Sequence, residues 1–556
     1  MSSYLKTAIS SIYSEKDDFI IIGLTGRTGS GCTTAAKKLS SDINKIRHSL
    51  FDGDNPANNE QRKQKIIIKR ARKIWKRFIH IQASSIITLI LLKSESKEIE
   101  ELLKSQSIDE EKIKKILNEK IDLNEPTKET TLDETIKFYT ETIVEKHQKI
   151  KEILGKKFIK AYQEIGKNIR NSGGISTIPP QKSQEFTKIS ESIDGIIKEI
   201  RRKSKKEQED KRTYIVIDAI RNQFEATYFQ DRYSSFYLIA ITCSEEDRRK
   251  RLTAIGYSDE EVNRIDADEH SEDPIAFDKP DAYMKQDIAS CLQRADIYIH
   301  NPNVPNTASE HFELSNQLIT FVTLMVHPGL ITPSAIERCM QIAYTAKLNS
   351  GCISRQVGAA ITDNSYSIKA IGWNDAPEGQ VPCNLRNRSD LISGRDQPAF
   401  SDYEKGNADF RDYIITSTRE YQTIWENTGR NLSFCFKSEY NKFTDKNNQV
   451  HTRALHAEEN AFLQLAKNGG TPIKGGKLFT TASPCELCSK KAYQLGISEI
   501  YFIDPYPGIA TKHTLTGGSN NPKLILFKGA IGRAFHNLYT PKLPYKDELA
   551  TLAKSR

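Results

Sequence analysis

Nothing in these 556 residues reads as a disulfide framework: the nine cysteines are scattered, and only Cys485 and Cys488 stand at metal-like spacing. A membrane span is missing too. The most apolar stretch, FIHIQASSIITLILL from Phe78, is short and broken by His80, Gln82 and two serines, so it reads as a buried strand followed by a helix. The opening stretch, MSSYLKTAISSIYSEKDD, lacks an apolar signal core. These absences exclude a secreted scaffold and a membrane protein, and a cytoplasmic chain is expected.

What is present fits a soluble globular protein with a charged helical component, at 37% hydrophobic and 28% charged residues. The length exceeds one ordinary core, so two domains plus an insertion are expected. A formal net charge of +9 favours anionic ligands, and nucleotides satisfy that as well as nucleic acid does. The basic run KQKIIIKRARKIWKR, residues 63–77, reads as a helix with a solvated face and its Ile and Trp side chains packed inward.

The first domain is expected over residues 1–310. Phe19 to Leu24 is a continuous apolar run, as a strand covered on both faces requires, and a glycine loop and a helix follow it. RTYIVIDAI (Arg212 to Ile220), SFYLIAITC (Ser235 to Cys243) and ADIYIHN (Ala295 to Asn301) supply further buried strands, which suits a doubly wound parallel sheet in an α/β protein. Between them, apolar residues recur at helical spacing through Ile136, Tyr139, Ile143, Ile150, Leu154, Phe158 and Ile165. A second periodic run passes through Phe186, Ile189, Ile193, Ile196 and Ile200, and residues 95–210 are expected to form an inserted helical hairpin.

The second domain is expected over 326–556, in the order helix, two strands around Asp363-Asn364, helix, strand, helix, strand, with a last strand at KLILF. Here HAEENAF begins at His456 and PCELC contains Cys485 and Cys488. Zinc takes imidazole nitrogen and thiolate sulfur in tetrahedral geometry, and three protein ligands leave the fourth position for water. His456, Cys485 and Cys488 are three such ligands. Glu458, two residues after His456, reaches that water without binding the metal and is the expected proton carrier. His-x-Glu followed by Pro-Cys-x-x-Cys is the signature of zinc nucleobase deaminases, in which hydroxide replaces an amino group on the ring.

With SRQVGAAI, GWNDAPEG and Cys383 soon after, TTASPCELC and EIYFIDPYPG, residues 335–510 resemble the cytidine and deoxycytidylate deaminase family, and within it the deoxycytidylate branch. The resemblance implies that Asn374 contacts the sugar, that Ala457 holds the base through its backbone, and that Tyr506 lines the pocket. A phosphate-loop domain ahead of such a deaminase resembles the bacterial antiphage deoxycytidine-nucleotide deaminases. That resemblance implies conversion of dCTP and dCMP to dUTP and dUMP, depletion of a DNA precursor, a homo-oligomer, and control that silences the enzyme in healthy cells. Residues 384–455 depart from the family pattern as a long insertion containing FRDYIITSTREYQTIW, expected to cover the active site or to build a subunit interface.

The glycine loop lacks one thing. Gly26-x-x-x-x-Gly31-Cys32-Thr33 follows the phosphate-loop pattern except that Cys32 stands where lysine belongs. The backbone from Gly26 through Arg27, Thr28, Gly29, Ser30, Gly31 and Cys32 still suits a phosphate at a helix start, with Thr33 and Thr34 opening the helix. Thr33 suits a magnesium-bound oxygen of a nucleoside triphosphate, and Asp218, ending an apolar strand, suits organisation of the Mg2+. The missing cation predicts binding with phosphoryl transfer weak or absent, unless Arg27 or Arg248 to Arg251 substitutes. DAIRN and RRKR resemble nucleotide and dephospho-coenzyme A kinases. The fold expected is therefore a P-loop kinase-like doubly wound parallel sheet with a long helical insertion, then a cytidine deaminase-like α-β-α domain, with a nucleotide effector gating the deaminase. Two rivals share the zinc motif: a deaminase of RNA or DNA bases, and a scaffold with structural zinc. Against the first, no aromatic–basic stacking platform is evident, leaving nucleic acid a place only as a regulator.

Overall fold

The computed structural model describes residues 4, 7–8, 11–12, 18–121, 123–176, 185–269, 281–303, 311–470, 472–504, 510 and 513–554. The chain divides into two compact units, one of Met1–Thr332 with Arg533–Arg556, the other of Pro333–Gly532. This differs from the expected boundaries at both ends, for a physical reason. The helix Phe312–Val326 buries its apolar residues within the first unit, and Lys63 Nζ donates to Thr332 O there. After residue 532 the chain returns: Arg533 donates to Gln230 O and Phe236 O, and Gly329 N donates to Leu538 O. The second unit is thus an excursion from the first. Among the described residues no helix is long and apolar enough to cross a membrane.

The first unit is built on β1 (Phe19–Thr25), β2 (Ile79–Gln82), β3 (Thr213–Asp218), β4 (Phe236–Thr242) and β5 (Ile297–His300). Within this unit they lie in the order β5-β4-β1-β3-β2, with every pair parallel. All seven residues of β1 are buried, as a central parallel strand demands. The apolar stretch from Phe78 forms β2 and the helix Ala83–Lys93, as its broken hydropathy predicted. Most of the basic run lies in the helix Asn59–Ile74, with Ile67, Ile68 and Ala71 buried, but Ile66 is exposed and the helix stops before Trp75, its half-buried C-cap.

The inserted segment is helical but is not a two-membered hairpin. It holds the helices Ser96–Ser105, Glu110–Asn118, Leu132–Lys137, Ile143–Leu154, Phe158–Ser172 and Lys188–Glu207. Gly155, at φ 55°, breaks the run that periodicity alone carried through. The segment has its own apolar interior, including Ile143, Ile150, Ile165, Ile193 and Ile200. Lys203, 1% exposed, is tolerated there because its ammonium donates to Thr127 O, Thr130 O and Thr135 Oγ1.

The second unit carries β6 (Gly358–Thr362), β7 (Ile368–Trp373), β8 (Lys477–Ala482), β9 (Glu499–Asp504) and β10 (Lys523–Leu526) in the order β10-β9-β8-β6-β7. β6 runs antiparallel to β7 and β8, and β8, β9 and β10 are parallel. Ala457, Ala461 and Phe462 pack with Ile361, Leu478, Ile500 and Phe502 in one core. Gly372 on β7 makes this packing possible. A Cβ there would stand 2.3 Å from Ala457 O and 2.4 Å from Ala461 N, so the first turn of the helix Ala457–Lys467 lies directly on the strand backbone. Residues 384–455 form a satellite around Leu391, Ala399, Phe400, Phe410, Ile414 and Phe434, stiffened by the buried ion pairs Arg386–Glu404 and Arg388–Glu439.

Gly372→Ala is expected to destabilise this unit by about 1–3 kcal/mol, the usual range for forced overpacking. It also pushes His456 out of place, so thermal unfolding and bound-metal content should fall together. A variant with wild-type metal content and melting temperature would contradict the close approach.

Candidate metal centre and phosphate loop

The candidate metal centre is assembled at two helix starts. His456 is the N-cap of the helix Ala457–Lys467, and Cys485 is the N-cap of the helix Glu486–Gln494. Both side chains therefore sit where unpaired backbone N–H groups and the positive end of a helix favour negative charge. Glu459 fastens the two together: it accepts from His456 N at 3.4 Å and pairs with Lys491 on the other helix. His456 Nδ1 lies 3.2 Å from Cys485 Sγ and 3.6 Å from Cys488 Sγ. The three ligand atoms all lie within 4.8 Å of one another. A tetrahedral ion with the usual Zn–N and Zn–S bonds separates its ligand atoms by about 3.5–3.8 Å. The donor set and its spacing fit zinc.

Glu458 is buried, and its Oε1 accepts from Thr480 Oγ1 on β8 at 2.9 Å. Burial pushes the Glu458 carboxyl above the usual carboxylate range. The proton bookkeeping of the cysteines is shared. Donation from Cys488 is the largest cause holding the Cys485 thiol down at about 3, and the same bond pushes Cys488 up. The hydrogen bond with Cys485 also raises the His456 imidazole above its ordinary value.

Of the residues assigned to substrate, Ala457 is fully buried at the first helical position. Asn374 uses both ends of its amide on the chain: Oδ1 accepts from Val357 N at 2.6 Å and Nδ2 donates to Arg355 O at 2.7 Å. It thus acts here as a strut between β7 and the approach to β6. Next to it, Asp375 O accepts from Leu455 N at 2.8 Å, tying this turn to the residue before His456. Tyr506 lies outside the described residues. Thr480 and Lys491 were not foreseen. TTASPC does show a hydroxyl one strand repeat before the bend, but nothing local says which carboxylate it meets.

In the first unit β1 leads through the glycine loop into the helix Cys32–Leu39, and Asp218 ends β3 beside Leu24. Gly31 has φ 109°, and a Cβ there would meet Asn301 Nδ2 at 2.3 Å. That amide donates to Ser30 O at 2.8 Å. Burial of the sulfur first, then the Asp218 charge, pushes the Cys32 thiol up to about 12, so a neutral side chain stands where the lysine is expected. The arginines named as substitutes are engaged. Arg27 pairs with Glu245 at 2.8 Å and Asp266 at 2.7 Å. Arg248 pairs with Glu245 and Asp266 and donates to Thr28 O. Arg251 donates to Gly29 O, Ser30 O and Asn301 O, so it braces the loop from outside. Arg249 pairs with Glu245. A cavity of about 810 Å³ opens beside the loop, lined among others by Thr33, Lys37, Asp218, Arg221, Phe158 and Tyr162.

Comparison with known proteins agrees with the geometry of the second unit. Residues 333–504 match the family model described as the cytidine and deoxycytidylate deaminase zinc-binding region. The chain is similar to the deoxycytidylate deaminase of enterobacteria phage T4, at 29% identity over 168 residues, covering 30% of this chain and 76% of the phage protein. It is also similar to the deoxycytidylate deaminase of Saccharomyces cerevisiae, at 33% identity over 95 residues, covering 17% of this chain and 30% of the yeast protein. A crystal structure of dCMP deaminase from cyanophage S-TIM5 in complex with dCMP and dUMP aligns at 22% identity and TM-score 0.22, covering 35% of this chain and 99% of that one. The stretch that brings His456, Cys485 and Cys488 together is therefore the stretch that matches the zinc-binding region of the cytidine and deoxycytidylate deaminases.

Proposed function

We propose that this chain is a zinc-dependent hydrolase that deaminates deoxycytidine nucleotides, dCTP or dCMP, to dUTP or dUMP. The observation that carries the reading is a buried carboxylate, Glu458, set two residues from His456 while His456, Cys485 and Cys488 converge at metal-ligand spacing. Zinc held by those three supplies a Lewis acid that makes water acidic near neutral pH. Glu458 takes one proton of the attacking water and delivers it to the ring nitrogen, then carries the second proton, from the newly formed C–O–H, to the departing amine, so that C–NH2 and one water become C=O and ammonia. Thr480 fixes the carboxylate's orientation through Oε1. In this reading Ala457 presents its backbone to the base, Asn374 lies beside the sugar, and Tyr506 closes the pocket. The exposed Tyr421, Ile424 and Trp425 on the helix Ala408–Thr428 suit contact with a second copy of the chain.

The first unit, in the same proposal, binds a nucleoside triphosphate with Mg2+ at Gly26 to Thr34 and Asp218 and regulates the deaminase. The strand–loop–helix geometry supports binding, and the neutral Cys32 argues against phosphoryl transfer. Depletion of dCTP during phage infection is the cellular role proposed.

Glu458→Ala should retain full zinc by metal analysis and lose about 10²–10⁴-fold in turnover, the usual contribution of a proton-transfer group. Loss of the metal together with activity would make Glu458 a ligand instead. Thr480→Val should lower kcat about 10–100-fold with KM nearly unchanged, since a hydrogen bond to a charged group contributes about 1.5–3 kcal/mol.

Incubation with dCTP, dCMP, single-stranded DNA and tRNA should yield uracil only in the free nucleotides. Uracil confined to the polymers would favour the polynucleotide-base reading. Gly31→Glu should abolish any response of deamination to added nucleotides, and a wild type indifferent to every nucleotide would end the gating idea.

A further inference from the structure

The mouth of the phosphate loop already holds an anion, and it belongs to the chain. Glu269 closes the helix Asp259–Glu269 and is 2% exposed. Thr28 N donates to its two carboxylate oxygens at 3.0 and 3.3 Å, and Thr28 Oγ1 donates to Oε1. Arg221 Nη1 donates to the same Oε1 at 2.6 Å and to Thr28 Oγ1 at 3.1 Å. One turn earlier on that helix, Asp266 pairs with Arg27 and Arg248. A loop amide, a hydroxyl and a guanidinium converging on a carboxylate offer what a phosphate oxygen accepts. The cavity of about 810 Å³ reaches this point, with Thr28, Arg221 and Glu269 all in its lining.

We infer that Thr28 and Arg221 form the seat for a terminal phosphate of a nucleoside polyphosphate, and that Glu269 is the internal competitor that fills this seat when the ligand is absent. The inference rests on the proposed nucleotide binding and adds its regulation. Arg27, Arg248 and Arg251 are tied to carboxylates or to loop carbonyls, whereas Arg221 is held at the loop mouth by Glu269, the group a phosphate displaces. Binding then exchanges one anion for another and releases Glu269 with the end of its helix. The apparent affinity is reduced by the fraction of molecules in which Glu269 is seated.

The test is calorimetric titration of the full-length protein with inorganic triphosphate, and separately with ATP and the four dNTPs, each with Mg2+. If Glu269 is seated in nine molecules of ten, Glu269→Gln tightens triphosphate binding about tenfold. Glu269→Asp, which keeps the charge but withdraws it by one methylene, gives a smaller gain and keeps the test valid should the Gln variant fail to fold. Arg221→Gln in the Glu269→Gln background removes the gain. Unchanged or weaker binding by folded Glu269→Gln and Glu269→Asp overturns the competitor while leaving nucleotide binding standing. If neither wild type nor any variant binds a polyphosphate, the nucleotide reading falls, and the competitor with it.

Discussion

The approach of two helix starts governs the second unit. His456 and Cys485 each occupy an N-cap, and their ligand atoms stand 3.2 Å apart. Neither helix could arrive there alone. The first is pressed onto β7 because Gly372 has no side chain, and the second leaves β8 through Ser483 and Pro484. The Glu459–Lys491 pair then bridges them. With both ends fixed, Glu458 turns inward, buried against Thr480. A buried carboxylate is costly unless it is hydrogen-bonded or neutral, and this one is raised toward protonation. That is the property a proton carrier needs.

The first unit uses the same backbone device on a different charge. The start of the helix Cys32–Leu39 and the loop before it line a cavity. In the second unit the helix starts meet thiolate and imidazole; in the first, a loop amide meets the Glu269 carboxylate. Both places lie beyond the carboxyl ends of parallel strands, β8 in one sheet and β1 with β3 in the other, where open α/β sheets gather their ligands.

Local patterns made much of this legible. Continuous apolar runs marked β1, β3 and β4, because a strand covered on both faces has no polar alternative. The candidate metal-binding residues stood out because His456 and Cys485 each cap a helix and Cys488 lies in the first turn after Cys485, a signal confined to a few residues. Helical periodicity misled where a single residue decided: Gly155 turned one long run into separate helices. Contacts made across long stretches of sequence left no trace. Thr28 and Glu269 are 241 residues apart, and Arg248 and Arg251 of RRKR find Asp266, Gly29 O and Ser30 O in other segments. Asn374 shows another limit, since a polar residue in a motif can serve its own backbone first.

The charges around the loop also bear on why such a unit would be joined to the proposed hydrolytic centre. Hydrolytic deamination consumes only water and releases ammonia, so a nucleoside triphosphate adds nothing to its chemistry. A loop devoted to transfer would keep a mobile cation beside the phosphate through the reaction. Here Cys32 offers a neutral, half-buried thiol, Arg251 braces carbonyls, and Arg27 and Arg248 are locked to Glu245 and Asp266. What remains, on the proposed reading, is a binding unit whose two states differ in which anion faces Thr28 and Arg221. A ligand shifts such an equilibrium only through its differential affinity for the two states. Exchange of a carboxylate for a phosphate at one seat provides that difference, because the displaced carboxylate stays attached to a helix that must then move.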